Sequence, residues 1–516
     1  MQDPEANGTL DSKSNSNSTN SQSLKTGIGQ RPSCFKSTLH EISFILIATL
    51  AMATNSLVTG AMIIVTASIG ADLNMSQAQI TWISAATTLT ASAFQLPLGQ
   101  LTDLLGRKPL LILGSVGFSA SALLLGFAKN AFWMDIVAGI LGLFSALVVP
   151  PAAGSLGAAY EQPSKRKNFA FACFSAGTPV GFGLGSIIMG VAARVSGWRA
   201  GFWVFAVVWV ALTVLSFWVV PGGMETYEST AKFKVRFKDS MSRFDFLGTF
   251  LAVFGVGLLT TGLTLGPSDG WKTGHVIAML ILGFFLLVAF VLWENHYRHP
   301  LMPLHIWKDR IFALLIPTTL LGTTSLISSN FWLALFLQEQ QHLYPLPVAV
   351  RLLPQVISAV LANIVAASIL HRENNTTIMA LGATMYILAN TLLAVQGPKA
   401  SYWAFIFPSL VTNVLGLDLQ FNVANMYVMQ SLPSAQQSLA AGIFNMFIRL
   451  GTTIGLGIST AVYSSILAQE DVKVEDERDE FRPFRAAFYV SAALAVMACL
   501  FVPFLRIGRQ GVSKGE

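Results

Sequence analysis

Charge is what this sequence has least of. Only 11 % of its 516 residues are Asp, Glu, Lys or Arg, against about 25 % in an ordinary soluble protein. Water is therefore not its main solvent. Cysteine is nearly absent as well: Cys34, Cys173 and Cys499 stand far apart, which suggests neither a disulfide framework nor a metal motif. No G-x-x-x-x-G-K-[S/T] loop occurs, so any pumping relies on an ion gradient and not on ATP. His296, His299 and His305 are the only histidine cluster and fit no metal-ligand spacing. With no catalytic constellation, neither an enzyme nor a metal or cofactor is expected. The first 40 residues lack the apolar stretch and cleavage site of a signal peptide, and their Ser, Asn, Gln and Lys content predicts a disordered tail.

What is abundant is apolar. Hydrophobic residues make up 53 % of the chain, and the mean hydropathy is +0.59. A hydrocarbon core about 30 Å thick needs about 20 apolar residues per helical span. Fourteen runs qualify: 43–67, 78–101, 109–128, 132–158, 168–192, 199–220, 244–264, 273–293, 311–338, 346–370, 376–395, 402–430, 437–467 and 485–506. The longer charged loops 221–243 and 294–310 set off the pair between them, so the plan reads six, two, six. The fold class expected is an all-α integral membrane protein. Its units are a tail at 1–40, a six-helix bundle at 41–220, loops and a two-helix insert at 221–310, a second bundle at 311–506 and a tail at 507–516.

Cytoplasmic loops accumulate Lys and Arg. With the amino terminus inside, inner segments hold 21 of the 32 and outer loops nine, so both termini are expected in the cytoplasm. The net charge of +6 is then a topology signal and not a nucleic-acid footprint. Asn7, Asn17, Asn74, Asn374 and Asn375 lie in N-x-S/T sequons, and only Asn74 falls on the outer side, in a short loop.

The loop after the second run reads Gly99-Gln-Leu-Thr-Asp103-Leu-Leu-Gly106-Arg107-Lys108. Its glycines permit close helix approach and a tight turn, and Asp103 can pair with cations or a helix amino terminus. The fifth run contains Gly177-Thr-Pro179-Val-Gly181-Phe-Gly183-Leu-Gly185. These glycines leave a smooth flank for another helix, and Pro179 removes a backbone donor. Further marks are Gly197-Trp198-Arg199, Phe244-Asp245-Phe-Leu-Gly248 and His299-Pro300-Leu-Met-Pro303-Leu304.

Together these stretches resemble the major facilitator superfamily. The first is similar to its G-x-L-x-D-x-x-G-R-K/R gate signature, and the second resembles the antiporter motif. The remainder resemble the fourteen-helix drug:proton antiporter branch, most of all the fungal aminotriazole-resistance, boron-efflux and low-affinity ammonium transporter-like proteins. The resemblance spans 42–506. It implies two six-helix halves plus two inserted helices, alternating access about a midplane site, and a multi-pass protein of the cell membrane. Acting as a monomer on a small-molecule substrate, such a protein exports drugs or secondary metabolites, driven by a proton gradient. A facilitator or exporter of boric acid or ammonium is the alternative, with a channel or nutrient sensor behind it. Two positions depart from the branch: Val58 stands where many drug exporters have an acid, and Asp135 where the fourth span usually has Arg.

An ionisable group at bilayer depth costs about 2.5–3.5 kcal/mol on insertion scales and persists where it pairs or lines a wet cavity. Asp418 and Arg449 each lie about twelve residues from the turn joining the last-but-two and last-but-one spans, which places both at ~18 Å depth. They are expected to pair or to share a cavity, with Asn422 and Asn425 on the Asp418 face and Asn445 one turn before Arg449. A structural ion pair is the plainer account of the same residues. Asp135 can titrate as an outer gate or snorkel to the interface, and Gln95 and Asn55 can be ligands or interhelical glue.

Overall fold

The computed structural model describes residues 31–32, 34–75, 77–160, 164–221, 241–343, 345–370, 373–398, 400–471 and 479–508. Most of the 1–40 tail, sequons Asn7 and Asn17, most of loop 221–243 and the acidic stretch 472–478 therefore lie outside the described residues.

Among the described residues, fourteen long helices stand where the fourteen apolar runs were expected. They are α1 (Thr38–Asp72), α2 (Gln77–Leu105), α3 (Arg107–Leu125), α4 (Ala131–Ala159), α5 (Lys165–Val195), α6 (Trp198–Val219) and α7 (Phe246–Asp269). The rest are α8 (Gly274–Glu294), α9 (Arg310–Glu339), α10 (Pro345–Ile369), α11 (Asn375–Val395), α12 (Phe407–Gln430), α13 (Gln437–Asp471) and α14 (Arg482–Phe501). Helix starts follow local capping: Ser37, Asn130, Ser164, Asp245, Asp309 and Asn374 each accept from a backbone N–H of the first turn, satisfying donors the helix leaves unpaired.

Thirteen of the helices are long and apolar enough to cross a membrane. The exception is α2, whose Gln, Thr and Ser side chains lower its hydropathy. It packs against α1, α3, α4, α7 and α13, so it meets protein where other spans meet lipid. At the opposite extreme, only 17 % of α8's span is buried; its Leu, Phe and Ile side chains face outward, as a lipid solvent permits.

Helices α1 to α6 pack among themselves, as do α9 to α14. The two bundles meet along two seams, α2 and α4 against α13, and α5 against α10. The pair α7–α8 lies beside the first seam, with α7 touching both α2 and α13. A Cβ added to Gly457 of α13 would lie 3.1 Å from Leu263 of α7.

The two marks flanking the insert converge on α2. Asp245 caps α7 through Gly248 N (2.7 Å) and accepts from Trp293 Nε1 (3.0 Å). The Asp245 N–H donates to Gln100 Oε1 (3.4 Å), and Gln100 Nε2 donates to His299 O (3.1 Å). The insert is thus anchored one residue after Gly99. Neighbouring Glu294 accepts from Met302 N (3.2 Å).

At the far end of the first bundle, Asp72 pairs with Arg199 (2.6 Å), which also donates to Ala128 O (3.1 Å). Asn74 sits exposed in the α1–α2 turn at φ 51°, a left-handed conformation asparagine tolerates. Asn374 caps α11, and Asn375 is buried and donates to Gly508 O (2.9 Å). That bond ties the start of the 507–516 tail to α11.

Candidate functional site

At the end of the molecule carrying the α2–α3 turn, Gly106 adopts φ 110°, a conformation open to glycine and costly for any other residue. The turn delivers Asp103 to the start of α13. Its carboxylate accepts from Ser438 N (3.3 Å) and Leu439 N (2.8 Å), so an acid from one bundle caps a helix of the other. The favourable end of the helix dipole reinforces the contact. Arg107 Nη2 holds the same carboxylate at 3.2 Å, and Lys108 lies over the Phe217 ring at 5.4 Å.

Glycines make this approach possible. A Cβ on Gly99 would come 2.9 Å from Ser438 O and 3.2 Å from Leu439 Cα. On the facing helix a Cβ on Gly442 would come 2.9 Å from Gln95 O. Gly154 and Gly157 of α4 leave the space filled by Ser438 and Gln437. Gly442, Gly154 and Gly157 were missed from the sequence; the runs Ala440-Ala441-Gly442 and Gly154-Ser-Leu-Gly157 are the small-residue signals that mark them.

The second glycine stretch divides between two tasks. Gly177, Gly181 and Gly185 lie four residues apart on one face of α5, and a Cβ on each would overlap the backbone carbonyl of Thr49, Ala53 and Leu57 of α1. Gly183 faces the other bundle, where a Cβ would meet Val356 of α10 at 3.0 Å. Pro179 falls within the continuous helix α5.

At mid-depth Arg449 reaches across the first bundle's seam. Its Nη1 donates to Asn55 Oδ1 (3.0 Å), Asn55 Nδ2 donates to Ser145 Oγ (3.1 Å), and Ser145 Oγ donates to Gly142 O (2.8 Å). This chain joins α13, α1 and α4. Gln95 is fully buried on α2, and neither of its amide atoms has a partner. Asn445 donates to its own helix at Ala441 O (2.9 Å).

Asp418 lies elsewhere. It is 3 % exposed, within the second bundle, next to Asn363 of α10 and near the Tyr386 hydroxyl of α11. Asn422 donates to Asn363 Oδ1 (2.8 Å) and to Asp418 O (2.8 Å). One carboxylate oxygen of Asp418 and the Asn425 amide nitrogen have no partner. The expected Asp418–Arg449 pair does not form. Equal depth does not fix which way two side chains face, and the rotation of α12 and α13 turns Asp418 into its own bundle and Arg449 toward the other. Asp135 is half-buried near the start of α4, one of its oxygens enclosed and unpartnered.

A second polar cluster ties the same end of the first bundle. Buried Glu41 accepts from the Tyr160 hydroxyl (2.6 Å) and pairs with Arg166 (2.8 Å). Burial, and then the Glu41 carboxylate beside it, push the Tyr160 phenol well above the usual tyrosine range, so its proton stays in place to donate.

The sequence profile of the Major Facilitator Superfamily matches residues 44–456 and, in a second placement, 355–516. The low affinity ammonium transporter of Saccharomyces cerevisiae is 29 % identical over 391 residues, covering 75 % of this chain and 74 % of its own. An Aspergillus terreus efflux pump, terJ, is 26 % identical over 477 residues, covering 90 % and 88 %. Among solved structures, the human organic anion transporter MFSD10 (TETRAN) superposes with a TM-score of 0.60 at 12 % identity, covering 90 % of this chain and 99 % of that one, a likeness of fold.

Proposed function

We propose, since the chain belongs to the major facilitator superfamily and is a secondary transporter, that it exports a small organic compound in exchange for protons by alternating access. The observation that carries this is the Asp103 cap on α13. It is a polar, breakable contact between two bundles whose nearby surfaces are smoothed by Gly99, Gly154, Gly157 and Gly442, as a rocking gate requires. The gate end is the cytoplasmic end, with both termini inside and the protein a monomer in the cell membrane. Asp418 is the first candidate to carry the proton, and Asp135 the second. The substrate cavity is assigned to Arg449, Asn55, Gln95 and Asn445 at the seam, with Asn422 and Asn425 supporting Asp418. The similarity to an efflux pump supports the outward direction.

The test is uptake into inverted vesicles, whose cytoplasmic face is outward, scanning aminotriazole, cationic dyes, boric acid, ammonium and small carboxylates with and without a pH gradient. Gradient-dependent movement of an organic compound is expected. Gradient-independent movement of boric acid or ammonium alone would replace this account with a facilitator, the second reading, which the similarity to an ammonium transporter supports.

A further inference from the structure

We propose that the seam site is built for an anion: the transported compound carries a carboxylate or similar oxyanion that docks on Arg449. The inference rests on the transport reading and names the substrate class of its site.

Arg449 lies within α13 at the seam and is half-buried, so part of its side chain stays accessible. Its single side-chain hydrogen bond among the described residues goes from Nη1 to the neutral amide of Asn55. Its Nε has no partner, and nothing accepts from Nη2 among the described residues. Nη2 is the donor open to a carboxylate, and a turn of the side chain that frees the enclosed Nε would complete the two parallel N–H groups that match one.

The charge around it is not balanced by protein. On the helices packed against α13 and α1, carboxylates stand at the helix ends: Glu41, Asp72, Asp103, Asp135, Asp269 and Glu339. The first three already pair with Arg166, Arg199 and Arg107. Arg449 is twelve residues into α13, about 18 Å from its start. Asp418, the one carboxylate at that depth among the described residues, lies in the α10–α11–α12 interior beside Asn363 and Tyr386. Asn55 cannot supply the missing charge, because its amide is neutral: its Oδ1 accepts from Arg449 and its nitrogen donates to Ser145. A cation held partly out of water without a counter-ion is disfavoured, and a substrate anion relieves that penalty when it binds. The same field disfavours ammonium and gives a neutral species such as boric acid no advantage.

The experiment uses the purified full chain and matched trios of ligands: benzoate, benzyl alcohol and benzylammonium, then the aliphatic acids, alcohols and amines of two to eight carbons. Ligand protection against thermal unfolding is read, followed by efflux of each protecting ligand from proteoliposomes. At least one carboxylate is expected to protect at concentrations about tenfold below its alcohol and amine counterparts, a gap typical of one charge-assisted pair. Arg449→Gln should abolish that preference without lowering the ligand-free unfolding midpoint. Should Arg449→Gln fail to fold, Arg449→Lys keeps the charge without the fork and should retain the preference at reduced affinity. The inference is overturned if no carboxylate protects, or if the preference survives Arg449→Gln. Alcohols or amines that protect and are driven out by a pH gradient would remove the anion inference and leave the exporter standing. Protecting carboxylates that never cross the membrane would leave the anion site and remove transport.

Discussion

The two bundles place their polar residues at different depths. In the first, the ion pairs lie at the membrane ends, Glu41–Arg166 and Asp103–Arg107 at one and Asp72–Arg199 at the other. Its middle is joined by glycine contacts and by the Asn55–Ser145 bond. In the second, amides and hydroxyls fill the interior: Asn390 donates to Ser325, Asn413 to Ser329 and Asn422 to Asn363, and Asp418 and Gln420 are buried beside them. Several of these atoms lack partners, among them the Tyr386 hydroxyl and one oxygen each of Asp418, Asn413 and Gln420. Unsatisfied polar atoms in a low dielectric carry a high cost. The difference teaches that the first bundle carries its ion pairs where its helices end, while the second gathers most of its unsatisfied polar atoms in its interior.

The sharpest way to break this comparison is to spoil a glycine contact in the first bundle. Gly181→Leu would force a side chain into the Ala53 backbone, where overpacking costs about 1–3 kcal/mol or more. The expected result is little folded protein, seen as loss of the monodisperse peak in detergent; Gly257→Leu, where a Cβ meets nothing within 4 Å, should express normally. Next comes Asp103→Asn, which keeps the shape but loses the charge at the α13 start. Charge-assisted hydrogen bonds contribute about 1.5–3 kcal/mol, so transport should fall by tenfold or more in vesicle efflux while the unfolding midpoint changes little.

The same neutralisation in the second bundle should act differently. Asp418→Asn replaces a buried carboxyl that has no cation beside it with a neutral isostere, so the fold should keep or gain stability, and the gradient should lose its hold on efflux by a factor within the about 5- to 150-fold range of ordinary site coupling. Unchanged pH response would return Asp418 to a structural role. The smallest effect belongs to Asp72→Asn: its partner Arg199 is about one-third exposed, and such pairs contribute about 0.2–1 kcal/mol. A slightly lower unfolding midpoint with normal transport is expected.

Depth was legible in the sequence and direction was not. Apolar run length placed the fourteen helices, because a hydrocarbon slab admits few other solutions, and counting residues put Asp418 and Arg449 at one level. Which way each faces depends on how α12 and α13 rotate against their neighbours, and no periodic signal in mostly apolar helices reports that rotation. The gate motif was legible because its turn, glycines and acid are contiguous from Gly99 to Lys108. Its counterpart at Ser438, Leu439 and Gly442 lies more than 330 residues away and carries no charge. The anchoring of the insert on Gln100 was hidden for the same reason, since Asp245 and His299 read as separate marks until the fold brought them together.

The central claim is that the Asp103 contact opens and closes. Spin labels on Leu105→Cys and Gln436→Cys, with the three native cysteines replaced, report the separation of the two bundles at the gate end by pulsed electron resonance. The account predicts a short distance in the resting chain and a second, longer population that grows in Asp103→Asn. One unchanged short distance in both proteins would contradict it.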